Sequence, residues 1–504
     1  MQRRYLMGID LGTSSVKVIV MEREGQLVSS ASTEYSFDIP HPGWAEQNPQ
    51  SWVDATLNTM KQAVLGANLA ANSIEAIGLS GQMHGLVCVD AGGAPVRPAI
   101  LWPDQRSAPQ VQQVYRVIGA KRLGEWTANP VAAGFMLPSW LWLVENEPKT
   151  VERTRSLILP KDALRFALTG QLGVEPSDAS STLLFDTFHR TWSLELAQAL
   201  EINSALLPPL HESVEAAGGL NGEVAKAVGL TPGIPVIYGG SDQSMAALGQ
   251  GIIRPGLLLC SVSTGGQMLA PLQAPLYDSQ LRTHTFCHVL KDHWYMMAAT
   301  LSAGLSLKWL RENLFMNMTY TQLADLAAEV PSSEGLYFLP HLAGERTPYM
   351  DAGSKAGLWG LTLHHSRNHI VRAVMEGVIF SMRLCLDLFQ KLGVPVQEVL
   401  ASGGGVRHPL WLRLMADIFG QPIYQAETVE ASATGAAILA GISVGAYLDA
   451  QTACQQVVHR SSEIVQPDQE AVERYRASFV TYCKLYPAFN LLRDQGNGEI
   501  SSPP

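Results

Sequence analysis

The chain has 504 residues, 47% hydrophobic and 16% charged, which suits two large packed domains or three ordinary ones and excludes a disordered chain. A formal net charge of −10 leaves no basic excess to neutralise a nucleic-acid backbone, though it does not exclude a small anion held by backbone N–H groups. The N-terminal MQRRYLMGIDLG is too short and too interrupted, at Asp10, for a signal peptide; no apolar run has membrane-spanning length, and six cysteines without a CxxC pair fit reduced thiols in a cytoplasmic protein.

Taken in order, YLMGIDLG predicts a strand, SSVKVIVMERE a second with alternating Val16, Val18 and Val20, and GQLV a third: a hairpin meander. Residues 50–69 have helical spacing at Trp52, Ala55, Met60 and Val64. IEAIGLS is a short strand that ends at Gly81-Gln82-Met83-His84-Gly85. Residues 104–230 read as a mostly helical insertion on the first domain. VIYGG is a strand and SDQSMAALGQG opens a helix. LLLCSVSTGGQMLAP then repeats the N-terminal plan of strand, Ser/Thr/Gly turn, strand, which suggests two similarly built domains. RNHIVRAVMEGVIFSMRLCLDLFQKLG is a long amphipathic helix closed by Gly393; EVLASGGGVRHPLWLRLMADIFG is strand, glycines, helix; ASATGAAILAG is a helix of small residues suited to close packing. The best boundary lies near 249–256, in GQGIIRPG.

Three glycine-rich turns follow apolar strands: Asp10–Ser15, Ser263–Gly266 and Gly403–Gly405. Glycine lets a backbone approach an anion, and three such turns suggest a polyphosphate ligand, with the hydroxyls of Thr13, Ser14 and Thr264 as further donors. None fits GxGxxG before a helix or GxxxxGK[ST]. Asp10 and Asp242 stand at strand ends. Asp10 is either a turn aspartate or, through water, a magnesium ligand; Asp242 is either a helix N-cap or a proton acceptor. In GQMHG, the polar Gln82 and His84 suit a hydroxylated ligand with Met83 on its carbons, whereas the local pattern alone favours a satisfied loop histidine. Cys287 and His288 adjoin, but no second pair stands at metal spacing, so core packing is expected there.

In family order, GIDLGTSSVK, GWAEQNPQSW (43–52), GQMHG (81–85), ILWPDQR (100–106), LPKDALRFALTG (159–170), SDAS (177–180), LPHLAGERTPYMD (339–351) and AGLWGLTLHHSRNHIVRAVMEG (356–377) resemble the FGGY carbohydrate kinases, most closely the xylulokinase branch. The resemblance implies an α/β fold of two actin-like (ribonuclease H-like) domains flanking a central cleft. Residues 1–248 would be the sugar-binding domain with part of the phosphate site, 249–486 the nucleotide-binding domain, and 487–504 a flexible tail.

It implies ATP and Mg²⁺, a small sugar substrate, no nucleic-acid or membrane partner, and a homodimer as an open alternative to a monomer. Asp242 would be the general base and Asp10 the magnesium-side carboxylate. Thr13, Ser14 and Lys17 would serve the first phosphate turn, Thr264 and Gly265 the second, and Gly404 and Gly405 would border the adenosine. Met83, His84, Asp242 and Gln243 would meet the sugar. The implied reaction is phosphorylation of a ketopentose at its terminal hydroxyl, D-xylulose to D-xylulose 5-phosphate. The alternatives are ribulose, another ketose or a glycerol-like polyol, and outside catalysis an actin-like nucleotide switch or a sugar sensor. Four positions depart from the family pattern: Ser139 where lysine is usual, Pro103 for asparagine, Gln243 for the asparagine of xylulokinases, and Ser263 for glycine.

Overall fold

The computed structural model describes residues 4–428 and 430–496. The chain forms two compact units: one of residues up to Arg254, Pro271–Met296 and Thr428–His459, the other of Pro255–Ala270, Met297–Glu427 and the residues from Arg460. Among the described residues no helix is long and apolar enough to cross a membrane.

The first unit is built on a mixed sheet. Its strand order is Ala216–Gly219, Pro235–Ile237, Ile74–Gly81, Tyr5–Leu11, Ser15–Glu22, Leu27–Glu34. Tyr5–Leu11 lies antiparallel to Ser15–Glu22 and parallel to Ile74–Gly81, and Gly240–Ser241 pairs with the last two residues of Ile74–Gly81. Alternation along the strands sorts the side chains onto two faces. Tyr5, Met7, Ile9, Leu11, Val16, Val18 and Val20 join Trp52 and Met60 of the helix Pro49–Gly66 in one core. Leu6, Ile19 and Met21 join Ala433, Ala436 and Ala437 of the helix Ala431–Ser443 in the other.

That second face explains the small residues. A Cβ on Gly8 would stand 1.9 Å from Ala433 O, one on Gly78 1.9 Å from Ala436 O, and one on Gly435 2.0 Å from Met245 O. The helix Ala431–Ser443 thus lies directly against both strand backbones and the helix Asp242–Gly249, an approach that only glycine permits. Through this seating, residues 428–459 pack with the first unit. A helix spans Leu485–Gly496; residues 497–504 of the expected tail lie outside the described residues.

In the second unit the strand Gly256–Val262 pairs antiparallel with Gly266–Leu272 and parallel with Val396–Ser402, which is followed by Ile423–Ala426 and Arg460–Val465. The helix Arg367–Lys391 is opened by a Ser366–His369 capping box and followed by Gly393 with φ +83°. Its Glu376 accepts from Arg372 Nε at 2.8 Å, Tyr475 OH at 2.7 Å and Ser333 Oγ at 2.6 Å, so this part of the C-terminal signature knits the unit together.

Candidate active site

Register brings the two aspartates together. Asp10 pairs across from Lys17 on one side and Ser80 on the other, and Ser80 in turn pairs with Gly240, two residues before Asp242. Ser80 Oγ donates to Asp10 Oδ1 at 2.8 Å. Burial raises the Asp10 pKa, against the stabilising Ser80 hydroxyl and Lys17 charge, and the nearby Glu430 carboxylate adds to the rise. Asp242 opens the helix Asp242–Gly249, and its Oδ1 accepts the Gln243 N–H at 2.7 Å. Part of its surface stays accessible, yet the surrounding protein crowds out most water. Burial first, then the Asp10 charge, push its carboxyl up to about 7, although the Gln243 N–H favours the ionised form.

The first turn is already wired to its surroundings. Thr13 Oγ1 donates to Gln82 Oε1 at 2.9 Å and accepts from Trp102 Nε1 at 3.0 Å, so its hydroxyl proton is committed and not the spare donor the sequence suggested. Gln47 Nε2 donates to Thr13 O, and Gln47 Oε1 accepts from Trp52 Nε1 at 2.7 Å. The neighbouring motif residues form an ion-pair group: Arg106 meets Asp104 and Glu46 at 2.7 and 2.6 Å and lies 3.6 Å over the Trp44 ring. Ser14 is exposed, and Lys17 Nζ pairs with Glu430 Oε2 at 2.8 Å. Gln82 spends its amide on the turn rather than facing outward.

Met83 is buried, with Tyr295 OH directed at its sulfur. His84 takes a left-handed backbone, φ 72°, and stacks on Phe135 at 3.7 Å; its Nδ1–H donates to Ser181 O at 3.0 Å. Asp10, Thr13, Ser14, Lys17, Met83, His84, Asp242 and Gln243 all belong to the first unit. The glycines before Asp242 make room for protein: a Cβ on Gly239 would meet Leu79 O at 2.1 Å and one on Gly240 Val289 Cγ1 at 2.1 Å.

Behind Asp242 lies a buried charge cluster that no spacing argument revealed. Lys161 Nζ is 2.8 Å from Asp162 Oδ1, 3.5 Å from Asp178 Oδ2 and 3.8 Å from Glu175 Oε1, all fully buried. Arg165 pairs with Asp162 at 2.6 Å. Neither Asp178 oxygen has a hydrogen-bond partner, and burial holds that carboxyl well above the usual carboxylate range despite Lys161. The LPKDALRFALTG and SDAS segments supply four of these five side chains, all but Glu175, and are the signal from which the cluster was findable. Ser80, Phe135 and Glu430 carried no such signal.

In the second unit, Thr264, Gly265, Gly404 and Gly405 share one end of the sheet, because Ser261 pairs with Ser402. A Cβ on Gly265 would stand 2.6 Å from Thr300 O, and one on Gly405 2.5 Å from Val262 Cγ1, whereas Gly404 faces open space. Thr264 O accepts N–H groups from Ala303 and Leu305, seating the turn on the start of the helix Gly304–Leu314. Burial pushes Glu345, from the ERTPYMD segment, up to about 7. It accepts from Leu301 N at 2.9 Å and Arg346 N at 2.8 Å and is only 2% exposed, so it anchors the segment beside the turn and offers no open base.

Two histidine groups do not make metal sites. His288 Nδ1 accepts the Leu290 N–H at 3.1 Å, and burial pushes that ring down to about 3, which is core behaviour. Glu334, His364 and His369 converge, but His369 Nδ1 accepts the Ser366 N–H at 3.2 Å. That tautomer keeps the proton on Nε2, the atom a metal would need bare.

Two mixed sheets, each with a strand–turn–strand phosphate-type loop, and a paired-aspartate site in one of them define an actin-like kinase class. Residues 5–249 match the N-terminal domain and residues 258–444 the C-terminal domain of the FGGY family of carbohydrate kinases. The chain belongs to this family and is a carbohydrate kinase. It is 36% identical over 484 residues to a xylulose kinase of Bacillus subtilis, covering 96% of this chain and 97% of that one. A solved structure from Brucella ovis, described as a xyloylose kinase, superimposes with a TM-score of 0.91 at 34% identity, covering 97% of this chain and all of that one. A glycerol kinase of Thermococcus kodakarensis is 28% identical over 480 residues, covering 94% and 95%.

Proposed function

We propose that this kinase transfers the γ-phosphoryl group of ATP to the terminal hydroxyl of D-xylulose, giving D-xylulose 5-phosphate. The observation that carries the reading is the Asp10–Asp242 pair: two carboxylates at the ends of the two strands that flank Ile74–Gly81, one of them pushed up to about 7. A carboxylate titrating near neutral pH is suited to accept a proton from an attacking hydroxyl. In this reading Asp242 takes the proton of the sugar hydroxyl as its oxygen attacks phosphorus in line. Met83, His84 and Gln243 orient the sugar, His84 being held by Phe135 and Ser181.

With the Thr13 hydroxyl committed, the exposed Ser14 hydroxyl and the backbone N–H groups of Thr13 and Ser14 would serve as donors in the first turn, with Lys17 beside them. Thr264, Gly265, Gly404 and Gly405 serve the nucleotide. The pair also suits Mg²⁺, because a hard cation prefers oxygen ligands and would favour the ionised form of two carboxyls that burial raises; Asp10 would hold it. When bound, that ion supplies charge neutralisation on the phosphates.

The xylulose assignment draws on the Bacillus subtilis and Brucella ovis relatives. A polyol is the second reading, favoured by Gln243, which follows the equivalent aspartate in glycerol kinases. A panel of D-xylulose, D-ribulose, other ketoses and glycerol, followed by ADP release, separates the two: D-xylulose is expected to give the highest kcat/KM, and a higher value for glycerol would overturn the sugar assignment.

A further inference from the structure

We propose that Ser177 is a positioning residue for Asp242, linking the backbone just before the base to the buried charge cluster; this rests on the reading of Asp242 as the base. The link is a hydrogen-bond chain of one polarity. Ser241 N–H donates to Ser177 Oγ at 2.9 Å, and Ser177 O–H donates to Glu175 Oε1 at 2.9 Å. A backbone N–H can only donate and a carboxylate only accepts, so the serine hydroxyl between them has one available orientation. Glu175 is fixed in turn by the N–H groups of Ser177 and Asp178, at 2.8 and 2.9 Å, by Ser213 Oγ at 2.7 Å, and by the Lys161 ammonium. Glu175, Ser177, Ser213 and Ser241 are all fully buried, so water does not compete for these bonds.

Two further observations point the chain at the base. Ser241 is the N-cap of the helix that Asp242 begins, yet its side chain makes no capping bond; its backbone is secured by Ser177 instead. The neighbouring glycine also keeps the path open. A Cβ on Gly240 would come within 3.0 Å of Ser177 Oγ as well as striking Val289. An eight-residue helix is a weak frame for a side chain that must meet a reacting hydroxyl, and a misplacement of about 1 Å can cost on the order of 10²-fold in rate. The cluster lends this short helix the rigidity of the fold behind it.

The test compares four variants with D-xylulose and Mg-ATP. Ser177→Thr and Ser177→Val have the same shape and differ in the hydroxyl alone. Ser177→Thr is expected to keep kcat within about threefold of wild type, and Ser177→Val and Ser177→Ala to lower it by about 10- to 100-fold, with KM for both substrates within about twofold. Ser213→Ala removes another hydroxyl from the same Glu175 but leaves Ser241 bonded. It is expected to lower the Tm as Ser177→Ala does while keeping kcat. Equal kcat for the Thr and Val variants, or a kcat loss in Ser213→Ala matching that of Ser177→Ala, would overturn the proposal. Asp242→Asn separates the two levels: if it keeps turnover, the base assignment fails, whereas if it loses turnover and Ser177→Ala does not, the positioning role alone fails.

Discussion

The first and second phosphate-type turns share a backbone plan and differ in charge. Each joins antiparallel strands, and in each the incoming strand runs parallel to a third: Tyr5–Leu11 beside Ile74–Gly81, and Gly256–Val262 beside Val396–Ser402. In register, Asp10 stands between Lys17 and Ser80, whereas Ser261 stands between Gln267 and Ser402. One turn therefore carries a carboxylate and an ammonium and the other neither. In the proposed reading the two turns have different jobs: the first would bring charge to the reacting end, and the second would offer a neutral backbone cradle.

The largest expected break in that asymmetry is Asp242→Asn. Sugar-dependent ADP formation should fall by about 10²–10⁴-fold with the fold intact. The pH profile supplies the sign. The folded pKa of Asp242 is raised, so wild-type kcat/KM should climb as pH rises through about 7. Over the same window the native state binds the proton more tightly than the unfolded chain, so ionisation lowers stability as pH rises from about 4 to 7. Asp242→Asn should then be more stable than wild type above pH 7, on the order of 1–3 kcal/mol by thermal or urea denaturation, with the gain vanishing near pH 4. Loss of activity without this gain would mean that the carboxylate is not desolvated as described.

Next in size, Asp10→Asn should cut kcat by about 10²-fold and weaken the response of rate to Mg²⁺ concentration. The reciprocal change, Ser261→Asp, puts a carboxylate in the neutral turn. Repulsion of the phosphates should raise KM for ATP about tenfold with kcat little changed. Equal effects of the two substitutions on both parameters would erase the distinction between the turns.

Much of this was legible in the chain itself. The hairpin echo, the glycine turns and the aspartates after strands are local patterns, and local patterns survive in one dimension. The seat of the helix Ala431–Ser443 was not, because a run of small residues announces close packing without naming its partner. Its partners Gly8 and Gly78 lie more than 300 residues away, and their lack of a Cβ became meaningful only beside Ala433 and Ala436. The Thr13 hydroxyl misled for a related reason: its donor capacity is visible in sequence, but Gln82, which accepts its proton, and Trp102, which donates to its oxygen, are distant. The close seating predicts that Gly78→Ala or Gly435→Ala costs about 1–3 kcal/mol of stability by overpacking, read as a lower urea midpoint with an unchanged m-value.

The smallest effect sharpens the comparison most finely. Lys17 stands across from Asp10 beside the first turn, where the second turn has Gln267 at the matching register position, and it is paired with Glu430 at 2.8 Å on a partly exposed surface. Such a pair contributes about 0–1 kcal/mol to stability, so Glu430→Gln should barely move the Tm. If Lys17 serves the phosphates, removing its carboxylate partner frees the ammonium and removes a negative charge from their surroundings, and KM for ATP should fall about two- to threefold. The gain should shrink as salt is raised from 0.05 to about 0.5 M, because exposed charges are screened. Lys17→Ala should move KM the other way. If Glu430→Gln instead raised KM, the pair would be orienting Lys17 rather than restraining it, and the first turn would owe its charge to the couple and not to the lysine alone.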